Sequence, residues 1–218
     1  MADLKQLEET SESIKDIAPF TPEATIGPFY PGAFVAQMPK DLSVVAPLLT
    51  HRPQGQLVTF SGRFFDALGR AVPSLIIELW QANTYGRYRH PLDQSLRSLD
   101  PQFDGFARLR TSDDGAFCFA TIKPGPHPVN EEAALMRAPH LRLTIFASGI
   151  DRLITQVFFE DEPLNATDPV LNSIPDPAVR NRLIAKRKRK SDGEGVLAYE
   201  LDFIMRGVGE TPFFDDWN

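Results

Sequence analysis

The chain has 218 residues, 42% hydrophobic and 24% charged, with a net charge of −6 and a single cysteine. This composition excludes a disordered or collagen-like chain, and the acidic balance argues against nucleic-acid binding through a basic face. One cysteine excludes an internal disulfide and a cysteine-based zinc site. The chain has no long apolar run and its amino terminus is unlike a signal peptide, so we expect a cytoplasmic protein that binds neither membranes nor nucleic acids.

The first quarter of the chain shows no regular hydrophobic period. Residues 1–20 predict a short acidic helix at best, and residues 21–56 carry six prolines. Such a stretch is unusually long for a plain loop in a compact domain. We therefore predict an amino-terminal arm over 1–56 that contributes to subunit contacts, and a folded domain over 57–218.

From residue 57 onward, alternating hydrophobic segments predict about seven strands. Turn residues at 66–69 and 112–115 predict one turn between the first and second strands and another between the third and fourth. The predicted strands span 57–65, 74–80, 106–111, 116–122, 140–148, 153–160 and 196–206.

One segment departs from this pattern. Asp176 suits a helix N-cap, Pro177 suits the first helical position, and the basic run 186–190 would complement the carboxyl end of a helix. We predict one helix here and interpret the basic run as its solvated last turn rather than as a nuclear or nucleic-acid signal. Many short strands and one helix predict an all-β fold, specifically a β-sandwich with a proline-rich arm.

No common catalytic motif is present, which leaves scattered histidines and tyrosines as candidates. Tyr88 lies between two arginines, which favour a phenolate, a suitable ligand for trivalent iron. The alternative is a tyrosine packed at a strand edge. Prolines fix the backbone around His127, although a lone loop histidine is commonly an ordinary surface residue. His140 and Arg142 share one strand face, where they need an anion, a carboxylate or a metal if that face is buried, and only water if it is exposed.

Together these segments resemble the intradiol ring-cleaving dioxygenases, especially the two-chain protocatechuate 3,4-dioxygenases. The resemblance implies a β-sandwich with helical and loop additions. It also implies Fe(III) held by two tyrosines and two histidines, which binds a catechol through both hydroxyls before the ring is cleaved between them. The segments that carry the resemblance are 79–82, 86–90, 99–101, 121–126, 137–140, 183–186 and 209–215.

The resemblance to the iron ligands is only partial. Tyr88 and His140 match one ligand tyrosine and one ligand histidine, whereas His127 and Arg142 stand where the second tyrosine and second histidine are expected. Arginine has no lone pair to donate and would repel Fe(III). With Arg137 beside it, this degenerate site resembles that of an α chain, although segments 86–90 and 124–128 resemble the β chain. The resemblance thus implies an iron-free α subunit whose homologous β partner carries Fe(III).

The resemblance further implies which residues are lent to the partner's substrate pocket. An arginine that α chains offer to the substrate carboxylate is Ser148 here, and Arg152 is a candidate to replace it. The expected substrates are protocatechuate, or another small aromatic diol, and O2, with 3-carboxy-cis,cis-muconate as the product. The arm residues expected to line that pocket are Thr25, Gly27, Pro28 and Phe29.

Two alternatives remain open from the sequence. The chain could be a self-sufficient divergent dioxygenase that holds a metal with Tyr88, His127 and His140. It could also be a non-catalytic β-sandwich interaction module in which the shared segments serve only as scaffold.

Overall fold

The structure is a computed structural model that describes residues 52–130, 134–147, 152–189 and 195–214. Within them no helix is long and apolar enough to cross a membrane. The only α-helix of the described residues, α1, spans Pro177–Arg180, and short 3-10 helices lie at Pro163–Ala166, Leu171–Ser173 and Asn181–Leu183. The strands are β1 (Leu57–Phe65), β2 (Ile76–Trp80), β3 (Phe106–Arg110), β4 (Ala116–Ile122), β5 (His127–Pro128), β6 (Met136–Arg137), β7 (His140–Phe146), β8 (Arg152–Phe159), β9 (Ile184–Arg187), β10 (Leu197–Glu200) and β11 (Phe203–Ile204).

Nine strands form one continuous, nearly closed sheet in the order β11-β1-β10-β9-β8-β7-β2-β3, with β4 also paired to β1. Strand β9 joins its two halves, because it pairs in parallel with β8 and antiparallel with β10. Strands β5 and β6 form a separate two-stranded sheet. The all-β prediction is confirmed, but a sandwich of two separate sheets is not, because β9 makes the described sheet continuous.

Both predicted turns are present, since the Gly69 amide donates to the Asp66 carbonyl and the Gly115 amide donates to the Ser112 carbonyl, but the strands that each turn joins do not form a ladder with each other. Strand β1 pairs with β4, β10 and β11, whereas β2 lies between β3 and β7. Across the first turn, an isolated antiparallel β-bridge joins Phe65 to Ala71. Alternation predicts which face of a strand is buried, but it does not identify the neighbouring strand.

The predicted helix is much shorter in the structure. Asp176 does cap it, since its Oδ1 accepts a hydrogen bond from the Ala178 amide at 2.8 Å. After a 3-10 turn that ends at the buried Leu183, however, the chain becomes strand β9 (Ile184–Arg187), in which Ala185 is buried. The interpretation of the basic run as a last helical turn is therefore wrong, and Lys186 instead forms an ion pair with Glu160 at 3.1 Å.

The core of the domain lies between the two halves of the sheet and is rich in phenylalanine. Phe60 and Phe64 of β1 are fully buried. Phe64 stacks on Phe203 of β11 with centroids 4.7 Å apart, and Phe60 packs against Phe117 and Phe119 of β4. Aromatic pairs of this kind bury large apolar areas, so they link strands that are distant in sequence.

The predicted arm lies almost entirely outside the described residues. This applies to all of its proposed pocket residues, which are Thr25, Gly27, Pro28 and Phe29. The last residues assigned to the arm, 52–56, contact the domain. The Gln54 amide donates to Asp100 Oδ2 at 2.8 Å, and the Lys123 amide donates to the Gln56 carbonyl at 2.8 Å.

Replacement of a core leucine tests this assignment of the core. Leu79 on β2 is fully buried, so Leu79→Ala should lower the free energy of unfolding by about 2–5 kcal/mol in urea denaturation. Leu96 is fully exposed, so the matched variant Leu96→Ala should change it by no more than about 0.5 kcal/mol. Equal effects of the two substitutions would contradict the described packing.

Candidate functional site

Three aromatic side chains converge where the loop after β2 meets β5 and the start of β7. The ring of His127 lies 5.5 Å from that of Tyr88 and 5.5 Å from that of His140, measured between centroids. Tyr88 Oη lies 3.5 Å from His140 Nε2. The structure therefore brings together three of the residues that the sequence singled out.

Close backbone contact between two loops sets the position of Tyr88 relative to His127. Gly86 has a φ of +75°, and a Cβ there would lie 2.1 Å from the Pro126 carbonyl oxygen. A Cβ on Gly125 would lie 2.2 Å from the Thr84 carbonyl oxygen. Only glycine permits these approaches, so these two positions determine how closely Tyr88 and His127 can meet.

Tyr88 is held as a neutral phenol. Its ring lies nearly parallel to Trp80 at 5.8 Å, and its amide donates to Asp93 Oδ2 at 2.7 Å. Burial raises the pKa of Tyr88 from the ordinary value of 10.0 to about 12, which outweighs the opposite influence of Arg137 and Arg142.

The expectation that the flanking arginines favour a phenolate is wrong. Arg87 donates to the Arg97 carbonyl at 2.7 Å, and Arg89 pairs with Asp104. Both guanidinium groups are thus engaged elsewhere, and burial decides the protonation state of Tyr88.

Both histidines present Nε2 as a lone-pair acceptor. His140 Nδ1 lies 2.7 Å from the Ala138 carbonyl oxygen, and His127 Nδ1 lies 2.9 Å from the Pro128 carbonyl oxygen. Because a carbonyl oxygen only accepts, each Nδ1 carries the proton. Burial lowers the pKa of both imidazoles, so both are neutral near pH 7. His127 Nε2 is buried and has no hydrogen-bond partner among the described residues.

Arg142 lies on the same face of β7 as His140, as predicted. The alternate residues Leu141 and Leu143 occupy the other face and are fully buried in the core. Its cross-strand neighbours are Trp80 on β2 and Gln156 on β8. The half-buried guanidinium therefore adjoins the aromatic cluster, where its charge acts on the Tyr88 hydroxyl.

Arg137 on β6 is neutralised by a residue that sequence reasoning missed. Its Nε donates to Asp168 Oδ2 at 2.9 Å, and Asp168 is fully buried. The same oxygen accepts from the Ala138 amide at 2.8 Å, while Oδ1 accepts from the amides of Val170 and Leu171. No motif marks Asp168, because its partners come together only in the folded chain.

The structure places one of the two residues proposed for the substrate carboxylate. Ser148 lies outside the described residues. Arg152 is exposed and begins β8 opposite Phe146, six residues along β7 from His140. At roughly 3.3 Å per residue this is about 20 Å from the cluster.

Comparison with known proteins identifies the family. The family model described as Dioxygenase matches residues 27–207. The protocatechuate 3,4-dioxygenase alpha chain of Pseudomonas putida is 34% identical over 207 residues, which is 92% of this chain and 98% of that protein. The chain belongs to the intradiol ring-cleaving dioxygenases. This family consists of oxidoreductases that depend on non-haem Fe(III).

Two further relatives of this intradiol dioxygenase chain come from Burkholderia cepacia. Its protocatechuate 3,4-dioxygenase alpha chain is 36% identical over 202 residues, covering 89% of this chain and 96% of the relative. The corresponding beta chain is 38% identical over 162 residues, covering 73% of this chain and 68% of the relative.

Solved structures support the intradiol dioxygenase fold. The dioxygenase domain of a carbohydrate-binding fusion protein from Streptomyces sp. SirexAA-E matches with a TM-score of 0.56 and 25% identity, covering 78% of this chain and 88% of that one. The 3-chlorocatechol 1,2-dioxygenase of Rhodococcus opacus 1CP matches with a TM-score of 0.55 and 22% identity, covering 70% and 60%, and shows likeness of fold alone.

The residues of the cluster do not fit a ferric ion. They offer one tyrosine oxygen and two imidazoles, whereas Fe(III) is a hard cation that prefers anionic oxygen ligands, and the family is expected to supply two tyrosines. A guanidinium within about 4 Å of the ion would cost roughly 4 kcal/mol for each unit of ionic charge at an effective dielectric constant of about 20.

Removal of the Asp168 charge tests the arrangement around Arg137. Asp168→Asn leaves a largely buried guanidinium without its counter-charge, so the free energy of unfolding should fall by about 3–5 kcal/mol in urea denaturation. Asp114 forms an exposed ion pair with Arg63, so Asp114→Asn should have little effect. If both substitutions are tolerated equally, the buried pair does not hold this part of the fold.

The protonation of Tyr88 can be measured directly. In the ultraviolet difference spectrum between the wild-type protein and Tyr88→Phe, the phenolate signal should appear with a midpoint near pH 12 in the native state and near pH 10 in denaturant. Between pH 10 and 12 the native state keeps the Tyr88 proton that the unfolded chain has lost. The stability that burial of the neutral phenol adds is therefore complete below pH 10 and is lost as the pH rises towards 12. A native midpoint at or below 10 would show that the arginines outweigh burial.

Proposed function

We propose that this chain is the α subunit of a two-chain protocatechuate 3,4-dioxygenase, and that it holds no iron itself. The observation that carries the proposal is the guanidinium of Arg142 on the same strand face as His140, beside the Tyr88 hydroxyl. In the family a second histidine is expected at this position. A permanent cation in place of a neutral donor opposes binding of a trivalent ion.

The extent of the matches supports the α assignment over the β assignment. The two alpha chains match over 98% and 96% of their own length, whereas the beta chain matches over 68% of its length. The higher identity to the beta chain, 38%, arises in the shorter matched part. An α subunit of near-equal length accounts for both observations.

In this proposal, a homologous β partner holds the Fe(III) and carries out the oxidation. Protocatechuate is cleaved between its two hydroxyl-bearing carbons, and both atoms of O2 enter 3-carboxy-cis,cis-muconate. This chain lends walls to the substrate pocket of the partner through Thr25, Gly27, Pro28, Phe29 and Ser148. Arg152 is retained as the candidate group for the substrate carboxylate, and the assembly is proposed to act in the cytoplasm.

A second candidate function is a self-sufficient dioxygenase with an altered metal site. One observation favours it, namely that His127 Nε2 and His140 Nε2 are both lone-pair acceptors next to the Tyr88 hydroxyl. Backbone carbonyls that accept from Nδ1 are typical partners of metal-ligating histidines. This candidate requires a metal to bind despite the charge of Arg142.

Metal analysis with a restored ligand set tests the α-subunit proposal. The full-length chain is expressed alone and with an iron-bearing β chain, and iron and O2 uptake with protocatechuate are measured. We expect substoichiometric iron and no O2 uptake for the chain alone. In the complex we expect bound iron together with O2 uptake. The double variant His127→Tyr/Arg142→His should gain iron and a visible tyrosinate-to-iron absorption in the isolated chain, whereas the control Arg142→Ala should not.

Two results would overturn the proposal. The first is stoichiometric Fe(III) with O2 uptake in the wild-type chain alone. The second is loss of activity of the complex on Tyr88→Phe with assembly unchanged, because the α-subunit proposal requires activity to be retained. The first result would establish the self-sufficient dioxygenase, and the second would show that Tyr88 of this chain takes part in the reaction.

A further inference from the structure

Strand β4 (Ala116–Ile122) forms one edge of the sheet within the part of the chain that the structure describes. It pairs only with β1, in an antiparallel ladder. At one end of that ladder the Lys123 amide donates to the Gln56 carbonyl at 2.8 Å. Because the residues of an antiparallel strand bond alternately to one side and the other, the odd-numbered residues of β4 bond to β1. The backbone groups of its even-numbered residues therefore point away from the sheet.

The outer edge of β4 is satisfied only at its two ends. The Ala116 carbonyl accepts a hydrogen bond from the preceding turn at 2.9 Å, and the Ile122 carbonyl accepts one from Gln81 Nε2 at 2.8 Å. Between these ends, the amide and carbonyl groups of Cys118 and Ala120 have no hydrogen-bond partner among the described residues. Unpaired strand groups of this kind are a template for pairing with another strand.

The side chains of β4 leave this edge open. Phe117 and Phe119 are buried in the core, whereas Cys118 on the opposite face is exposed between the small side chains of Ala116 and Ala120. The strand contains no charged residue and no proline. Charged side chains and prolines commonly oppose the pairing of edge strands, so β4 lacks the usual barriers to a neighbouring strand.

The strand at the opposite end of the sheet, β3, carries such a barrier. Arg108 forms an ion pair with Glu78 and lies over the ring of Phe106, and the nearby Arg110 is exposed. A second strand on this edge would meet two charged side chains. The contrast marks β4, rather than β3, as the edge that suits pairing.

The unpaired groups of β4 match those of a second copy. If two β4 strands lie antiparallel with Cys118 of each opposite Ala120 of the other, the amide of each residue donates to the carbonyl of the residue opposite. All the unpaired groups of these two residues then form hydrogen bonds about a two-fold axis at Phe119. A two-fold contact requires a patch that is complementary to itself, and this edge meets that requirement.

We propose that β4 is a self-association surface, on which a second copy of this chain places its own β4 antiparallel and continues the sheet across the contact. The residues involved belong neither to the aromatic cluster nor to the proposed pocket of the partner subunit, so the contact is independent of the iron content of the chain. Because it is limited to one strand edge, the dimer is weak and reversible.

Sedimentation velocity of the full-length chain in reducing buffer tests this contact, at concentrations from about 1 to 100 μM. We expect the share of dimer to rise across this range. Ala120→Pro removes an outward amide without removing a β1–β4 hydrogen bond, so it should weaken the dimer at least about tenfold. Cys118→Ser, which keeps the size of the side chain and adds no charge, is the matched control and should leave the dimer unchanged.

Charged variants test the same contact without changing the backbone. Cys118 is exposed, so Cys118→Lys and Cys118→Glu should both fold. In the proposed register the two side chains at this position are diagonal neighbours, about 7–8 Å apart. Each variant alone should therefore dimerise less than the wild-type chain, whereas an equimolar mixture of the two should recover the dimer.

A cross-link tests the register. Opposite residues in a hydrogen-bonded antiparallel pair have Cα atoms about 5.5 Å apart, which a disulfide can span. Under mild oxidation, Ala120→Cys should therefore form a disulfide with Cys118 of the second copy. Ala116→Cys lies on the same strand face but not opposite Cys118, so this control should cross-link much more slowly.

Three outcomes would contradict self-association at β4. The first is a monomer at every concentration, and slow reaction of its Cys118 with a thiol reagent would assign the edge to residues 1–51 of the same chain. The second is a dimer that Ala120→Pro and both charged variants leave unchanged, which places the contact elsewhere. The third is a complex with an iron-bearing β chain that is lost on Ala120→Pro, which assigns the edge to that partner. None of these outcomes bears on whether this chain holds iron.

Discussion

The ion pair between Arg137 and Asp168 is the interaction on which the candidate site depends. Asp168 is fully buried and accepts four hydrogen bonds, from Arg137, from Ala138 and from the first residues of a 3-10 turn. Through these bonds it connects β6 and the start of β7 to the 163–173 segment. The pair also places a carboxylate beside the Arg137 cation next to His140, whereas the charges of both Arg137 and Arg142 act on Tyr88.

The resulting site is a cluster of one tyrosine and two imidazoles, all uncharged in this structure. Burial keeps Tyr88 protonated and both imidazoles uncharged. Two carbonyl groups fix the direction of the imidazoles in the same way that they would orient metal ligands. The cluster thus combines two imidazoles oriented as metal ligands are with the nearby cation of Arg142, and this cation supports the proposal that the iron chemistry takes place on another chain.

Most of the strands, and the residues that converge at the site, could be predicted from the sequence. The bounds of β1 and β4 agree with hydrophobic alternation residue for residue. The shared face of His140 and Arg142 follows from the period of a strand. The pairing of the strands could not be predicted, because the alternation of side chains along a strand specifies which face is buried and not which strand lies next to it.

Two errors have a common physical cause. Asp176 and Pro177 begin a real helix, but the signals for a helix start do not specify its length, and β9 takes over once Leu183 is buried. The flanking arginines of Tyr88 suggested a phenolate, but their side chains find partners elsewhere. Local sequence indicates which backbone conformation or hydrogen bond a residue can adopt, whereas tertiary contacts decide which of these forms in the folded chain.

The pairing of β1 with β10 and β11 also constrains how the chain is made. The Arg63 amide donates to Asp202, which lies 139 residues further along the sequence. One edge of β1 can therefore pair only after β10 and β11 are available. During synthesis on the ribosome that edge stays unpaired until residues 197–204 have emerged, since translation adds residues in order. Long-range pairing of this kind slows folding and leaves a strand edge exposed meanwhile, which favours aggregation until the sheet closes.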